Sequence, residues 1–388
     1  MGPNLLLDKS SLQSISRTEA AFLFKHYNFV LSPILIAEIL GDVEKKPASG
    51  ALPRDEVKWF AQKILTARPY LCAPRQKLCV ASLLGNHVPM ELGQVPLEHG
   101  TSVRGPDGKR GILFDEPPEM KALRAWAAGN FSEAERALSA RWRETTRGLD
   151  LEKYKKVFAS NLVNFRPVKS LPEIKTWIDR FLAVRDADTQ LLLLSTATDA
   201  SRLVREYKTE IHNRWIRAGF PLLTEFAPYA AYCLRVDLFF HIGLASELIT
   251  TRATNRIDLI HMYYLPFCMA FSSGDQLHLD LAPVLMRENQ MLISRDDLKS
   301  DLRWLVDEWT SLSEQQQRER SIEYGSHPPE GRPESATVKA WKKFCKPRSG
   351  RSGNLVSTLT PKQVKEITDK IEGFLDAAKR AKDRHDEE

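Results

Sequence analysis

The sequence predicts an α/β fold: a small, mostly parallel sheet flanked by helices, broken by a large, mostly helical insertion and followed by a helical C-terminal tail. Three observations predict it. A short apolar run, Asn4 to Leu7, stops abruptly on Asp8. Ser16 to Lys25, with Ala20, Ala21 and Phe24 on one side, separates that run from a second apolar run, His26 to Leu31, as in a β-α-β unit. Much later, Phe267 to Ser272 gives another strand, and a Ser-Gly turn after it ends on Asp275. Both aspartates therefore fall just past the carboxyl end of a strand, where open α/β sheets place their chemistry.

The elements follow in order. Ser32-Pro33 has the N-cap and first-turn signature of a helix. That helix, PILIAEIL, is apolar except for Glu38 and ends at Gly41. Lys45-Lys46-Pro47 and Ser49-Gly50 read as a loop. Gly85 to Pro118 is rich in glycine and proline, with Pro106-Asp107-Gly108 as a turn between short strands. Several helices come next, with Trp126, Trp142, Trp177 and Trp215 expected as core anchors. Val236 to Ile249 reads as a long buried helix, and Leu279 to Arg287 as another. Gln290 to Ile293 is a last strand, and Ser294 to Asp297 resembles a capping box opening a helix through Trp309. Gly325 to Ser335 reads as a linker, and Thr360-Pro361 starts an amphipathic helix with Val364, Ile367, Ile371 and Phe374 on one face. These readings divide the chain into a first core part (1–42), an insertion (43–234), a second core part (235–311), and a linker with a terminal helix (312–388).

Composition sets the limits. With 388 residues, 43% hydrophobic and 27% charged, the chain has the make-up of an ordinary soluble globular protein. Its net charge of +6 is compatible with a nucleic-acid partner and does not require one. Five cysteines (Cys72, Cys79, Cys233, Cys268 and Cys345) are scattered with no Cys-x-x-Cys pair. Neither a zinc site nor a disulfide framework is expected, and reduced thiols suit a cytoplasmic setting. Val236 to Ile249 carries Asp237, His241 and Glu247, which argues against a membrane span.

Four carboxylates stand out by position. Asp8 and Asp275 follow strand ends; Glu38 and Asp258 sit on helices that are otherwise apolar. A buried carboxylate needs a cation, hydrogen bonds or a proton. Each also has a plainer reading: Asp8 as a turn cap, Glu38 as partner of an arginine, Asp258 as a complement to a helix dipole, and Asp275 as a turn residue. His261, one turn after Asp258, suits acid–base work or simple hydrogen bonding. No metalloprotease histidine pair, Gly-x-Ser-x-Gly elbow or phosphate-cradling glycine loop is present.

The segments NLLLDKSSL, VLSPILIAEIL and DLIHMYYLPFCMAFSSGDQLH resemble the successive motifs of PIN-domain nucleases. The resemblance spans roughly residues 1 to 42 and 235 to 300. It implies that Asp8, Glu38, Asp258 and Asp275 gather around Mg²⁺ or Mn²⁺ and hydrolyse RNA, or DNA in some branches. It also implies that Ser10 positions a water or an acid, and that Asp280 is an accessory acid. Met269 stands where many relatives carry a further acid, and the insertion is far longer than in a minimal PIN domain. A role in defence or as a toxin, and a protein regulator held by the insertion, follow only from the resemblance, as does its rival, a catalytically silent module binding RNA or protein. In the tail, Lys339, Trp341, Lys342, Lys343, Phe344, Lys346 and Arg348 interleave bases with aromatics, a pattern suited to phosphate contacts and base stacking or to a solvated linker with one aromatic pinned down.

Overall fold

A computed structural model describes residues 2–45, 52–91, 94–98, 100–104, 110–114, 116–161, 166–201, 203–318, 320, 327–346, 360, 362–363, 365–370, 372–373 and 376. Its centre is a five-stranded, all-parallel sheet: β1 (Asn4–Leu7), β2 (Asn28–Leu31), β3 (Tyr70–Leu71), β6 (Ala270–Ser273) and β7 (Met291–Ser294), in spatial order β3-β2-β1-β6-β7. β1 and β6 are central neighbours, with Leu5 opposite Ala270 and Leu7 opposite Ser272. The first and last thirds of the chain therefore meet in the middle of one sheet.

The strands are short and apolar because both faces are covered. Alternate side chains serve opposite cores: Leu6, Val30 and Phe271 point into one, and Leu5, Leu7, Phe29, Leu31, Ala270 and Ile293 into the other. The second core is closed by α1 (Lys9–Ser14), α2 (Arg17–His26), much of α3 (Pro33–Leu40), α4 (Pro53–Ala67), α6 (Pro118–Ala127), α16 (Arg295–Thr310) and α17 (Ala336–Phe344). The first is built around α13 (Pro228–Ala245), which is buried almost all round among α5 (Arg75–Leu83), α8 (Leu151–Asn161), α9 (Leu171–Leu182), α10 (Ala187–Ala200) and α12 (Leu223–Phe226). On the same face lie α11 (Arg205–Arg217), α14 (Asn255–Met262) and α15 (Gln276–Leu285).

The stretch after residue 42 is not all insertion. β3 extends the sheet, and α4 and α6 pack beneath it. Two residues of edge strand leave too little periodicity to be read from sequence. The expected strands around residues 106–108 form an antiparallel pair, β4 (Gly100–Arg104) and β5 (Arg110–Phe114). α7 (Glu133–Arg147) packs against the end of α3 at Gly41, where a Cβ would meet the Trp142 indole at 2.3 Å, so only glycine fits under that ring. Trp126 and Trp215 are core anchors as expected and Trp142 is partly buried, but Trp177 is 41% exposed, stacked on Phe181 at the surface. The expected strand at 267–272 starts later, because Pro266 holds Leu265–Phe267 in a single 3₁₀ turn. Of the terminal helix face, Val364, Ile371 and Phe374 lie outside the described residues, and Ile367 is exposed. Among the described residues no helix is long and apolar enough to cross a membrane.

Candidate functional site

The carboxyl edge of the two central strands fixes the first acid. Asp8 leaves β1 and caps α1, its Oδ1 accepting the Ser11 amide at 2.8 Å. The Ser10 hydroxyl lies 3.0 and 2.8 Å from the two oxygens, and Ser273 at the end of β6 donates to Oδ2 at 2.6 Å. Ser10 in turn accepts the Gly274 amide at 2.8 Å, which stitches the ends of β1 and β6 together. Burial works to raise the Asp8 carboxyl, but His278, Ser273 and the Ser11 amide outweigh it and hold the group far below the usual carboxylate range.

Asp275 caps α15, accepting the Leu277 amide at 2.9 Å, while its own amide donates to Ser273 Oγ at 2.9 Å. Glu38 reaches from α3 to α14, where its carboxylate lies 2.8 Å from His261 Nε2. Asp258 sits in the first turn of α14. Its carboxyl is raised to about 7, first by burial and then by the negative charges of Asp275 and Glu38, with His278 and His261 opposing. The four predicted acids thus share one region: three of them are coupled through charge, and Asp8 joins them through His278.

His278 is the residue that sequence reasoning passed over. Its Nε2 lies 2.7 Å from the Asp258 carbonyl, which can only accept. Its Nδ1 lies 2.9 Å from Ser273 Oγ and 3.4 Å from Asp8 Oδ2. Ser273 has a single proton, directed at Asp8, and its oxygen already receives the Asp275 amide. Both ring nitrogens of His278 therefore donate, and the ring is an imidazolium. Burial opposes that charge, while Asp8 and Asp258 favour it more strongly. His261 packs edge-on against it, with centroids 5.4 Å apart and its own Nδ1 buried without a hydrogen-bond partner. The available signal was a lone histidine on the buried face of a helix between Leu277 and Leu281, which by itself looks like core.

The remaining residues divide. Asp280 is exposed and accepts from Gln276 on its own helix at 2.8 Å, facing away from the other acids. Arg295, first residue of α16, lies across Gly274, where a Cβ would meet its Cδ at 2.8 Å, and its guanidinium contacts Asp296 at 3.1 Å beside Asp275. In the tail, Trp341 is buried and donates to the His26 carbonyl at 2.7 Å, so it anchors α17 to the core and offers no face for stacking. Phe344 packs against the same core, and Lys343 donates to the Glu288 and Gln290 carbonyls. Lys339, Lys342 and Lys346 are exposed, and Arg348 lies outside the described residues.

As donors, Glu38, Asp258 and Asp275 fit a hard divalent cation: all are oxygen ligands, all are partly exposed, and their mutual repulsion is what such a cation relieves. They are not preassembled. Among the described residues no group of three or more His, Cys, Asp or Glu stands close enough to hold a metal ion, and Asp8 is already engaged by four protein groups. A cation would have to draw the other three acids together. Compared with family models, curated proteins and solved structures, the chain finds no match.

Proposed function

We propose that the chain is a metal-dependent nuclease of PIN type that hydrolyses RNA phosphodiesters. The observation that carries this reading is the raised Asp258 carboxyl, which burial and the charges of Asp275 and Glu38 push to about 7 at the edge of a parallel sheet. Negative charge concentrated this way is stabilised by a proton, by a divalent cation, or by both in turn. When bound, Mg²⁺ or Mn²⁺ would supply charge neutralisation and Lewis acidity toward a phosphodiester. Glu38, Asp258 and Asp275 would hold it.

The chain's own groups do the rest. Ser10, Ser273 and the Ser11 amide fix Asp8, and His278, whose protonated form Asp8 and Asp258 favour, stands behind it. Asp258, which burial and its acidic neighbours keep largely protonated in the absence of a cation, would give up that proton when a cation is held. His261 orients Glu38. Arg295 stands at the rim, where it can meet a substrate phosphate.

A second reading has its own support. The saturation of Asp8 and the Glu38–His261 pair suit a catalytically silent module that binds RNA or protein, in which the acids are structural. A DNA nuclease would use the same acids. Cleavage of single-stranded RNA, duplex RNA and DNA with Mn²⁺, Mg²⁺ or EDTA separates these. The proposal expects cation-dependent RNA cleavage that Asp8→Asn and Asp275→Asn abolish. Cleavage that persists in both variants, or none with either cation, sinks it.

A further inference from the structure

A groove of about 640 Å³ lies between the outer faces of α2 and α4 and shares no residue with the acid site. Arg17, Lys25 and Arg68 line it with Phe24, Gln62 and Thr66, and no acid contributes to its wall. Among the described residues none of the three cations makes an ion pair, although the Lys25 ammonium rests over the Phe22 and Trp309 rings, 4.4 and 4.2 Å from their centres, and would have to swing from them to meet a phosphate. Phe24 is 43% exposed, with the Arg68 guanidinium 5.0 Å from its ring centre. A cationic groove floored by an exposed aromatic is the arrangement that grips a phosphate backbone and stacks a base.

Local helix chemistry explains only part of it. Lys25 lies in the last turn of α2 and Arg68 caps α4, where cations offset the partial negative charge of helix ends. Arg17 is different. It is the first residue of α2, at the positive end of the dipole, where a cation is disfavoured. Arg68 is also held at φ 45°, in the left-handed region that glycine adopts freely and arginine does not. Arg17 thus stands where the helix dipole would choose another residue, and Arg68 where the backbone angle would. Arg17 and Lys25 are about 12 Å apart along the helix axis, a span that accommodates successive phosphates of one strand.

We infer that this groove binds single-stranded nucleic acid, holding its phosphates with Arg17, Lys25 and Arg68 and stacking one base on Phe24. The inference builds on the nucleic-acid reading of the acid site and adds a second contact that would hold a strand while another part of it is cut.

The test uses the full chain in EDTA, with a fluorescein-labelled single-stranded RNA oligonucleotide read by anisotropy across a salt series. The Arg17→Ala, Lys25→Ala, Arg68→Gly triple variant should bind at least about tenfold more weakly, with its salt slope reduced by about 2. Phe24→Ala should bind about fivefold more weakly or worse with the slope unchanged. Arg68→Gly suits the φ 45° backbone, so this single variant keeps the fold intact, and it should still lose affinity. Wild-type affinity and slope in all the variants overturn the inference, as does loss of heparin binding equal to that of RNA with no effect of Phe24→Ala. Binding to phosphatidylserine vesicles in place of RNA also overturns it. Cleavage by the wild type that is unaffected by the groove variants would remove the groove and leave the nuclease reading standing. Groove-dependent binding without cleavage would do the reverse.

Discussion

Asp258→Asn tests the site without any assumption about substrate. In the folded chain the Asp258 carboxyl titrates near 7, against an ordinary value of 3.8. An acid raised by folding leaves the native state unpenalised below the ordinary value, and stability is lost as pH rises toward the folded value. At about 1.36 kcal/mol per pH unit the full penalty is about 4 kcal/mol. Roughly 2–3 kcal/mol of it accrues between pH 5 and pH 8. Asparagine cannot ionise, so the variant should gain about 2–3 kcal/mol on the wild type between those pH values. Urea unfolding of both proteins in EDTA at pH 5 and pH 8 measures that difference. Adding Mn²⁺ at pH 8 should then stabilise the wild type more than the variant, because a cation and the substitution relieve the same repulsion. If the two proteins keep a constant stability gap from pH 5 to pH 8, Asp258 is not under strain, and the electrostatic case for a cation at this edge fails.

Three further outcomes are expected. Ser273→Ala removes the hydroxyl that serves Asp8, His278 and the Asp275 amide, and should lower stability by about 1–3 kcal/mol in urea unfolding; a loss near zero would show that the buried hub relaxes without it. Lys63 is buried, donates to the Leu12 and Gln13 carbonyls at the end of α1, and is depressed by burial to about 7. Its unfolded form holds a proton that the folded form releases above pH 7, so wild-type stability should rise from pH 7 to pH 10, a rise that Lys63→Met should remove. Trp341→Phe keeps an aromatic in the core but loses the bond to the His26 carbonyl, so it should destabilise by about 1 kcal/mol and leave RNA affinity unchanged. Weaker RNA binding at unchanged stability would restore a stacking role for this residue.

Much of this fold was legible because its sheet strands carry sharp local signals. Leu5 to Leu7 are apolar without a break since both sheet faces are covered, and the run stops where Asp8 must cap a helix. Pro33 and the Ser294 cap mark helix starts through the backbone donors they remove or satisfy. β3 was invisible for the opposite reason: Tyr70 and Leu71 are strand only because β2 lies beside them. The tail misled because an alternation of lysines and aromatics describes an amphipathic helix as well as a nucleic-acid arm, and only the position of His26 decides that Trp341 faces inward. At the site, the acids could be read one by one, Asp8 and Asp275 because they follow strand ends and Glu38 because it interrupts an apolar helix. His278 could not, because its meaning comes entirely from three partners brought in from β1, β6 and α14. Position along the chain reveals which carboxylates are out of place. The fold alone reveals what offsets them, and here that is partly a histidine built into the protein. The His278 ring offsets Asp8 but only in part Asp258, whose carboxyl burial, and then the charges of Asp275 and Glu38, still lift. The unmet demand for positive charge therefore lies on the α3–α14 side of the site and not at the end of β1.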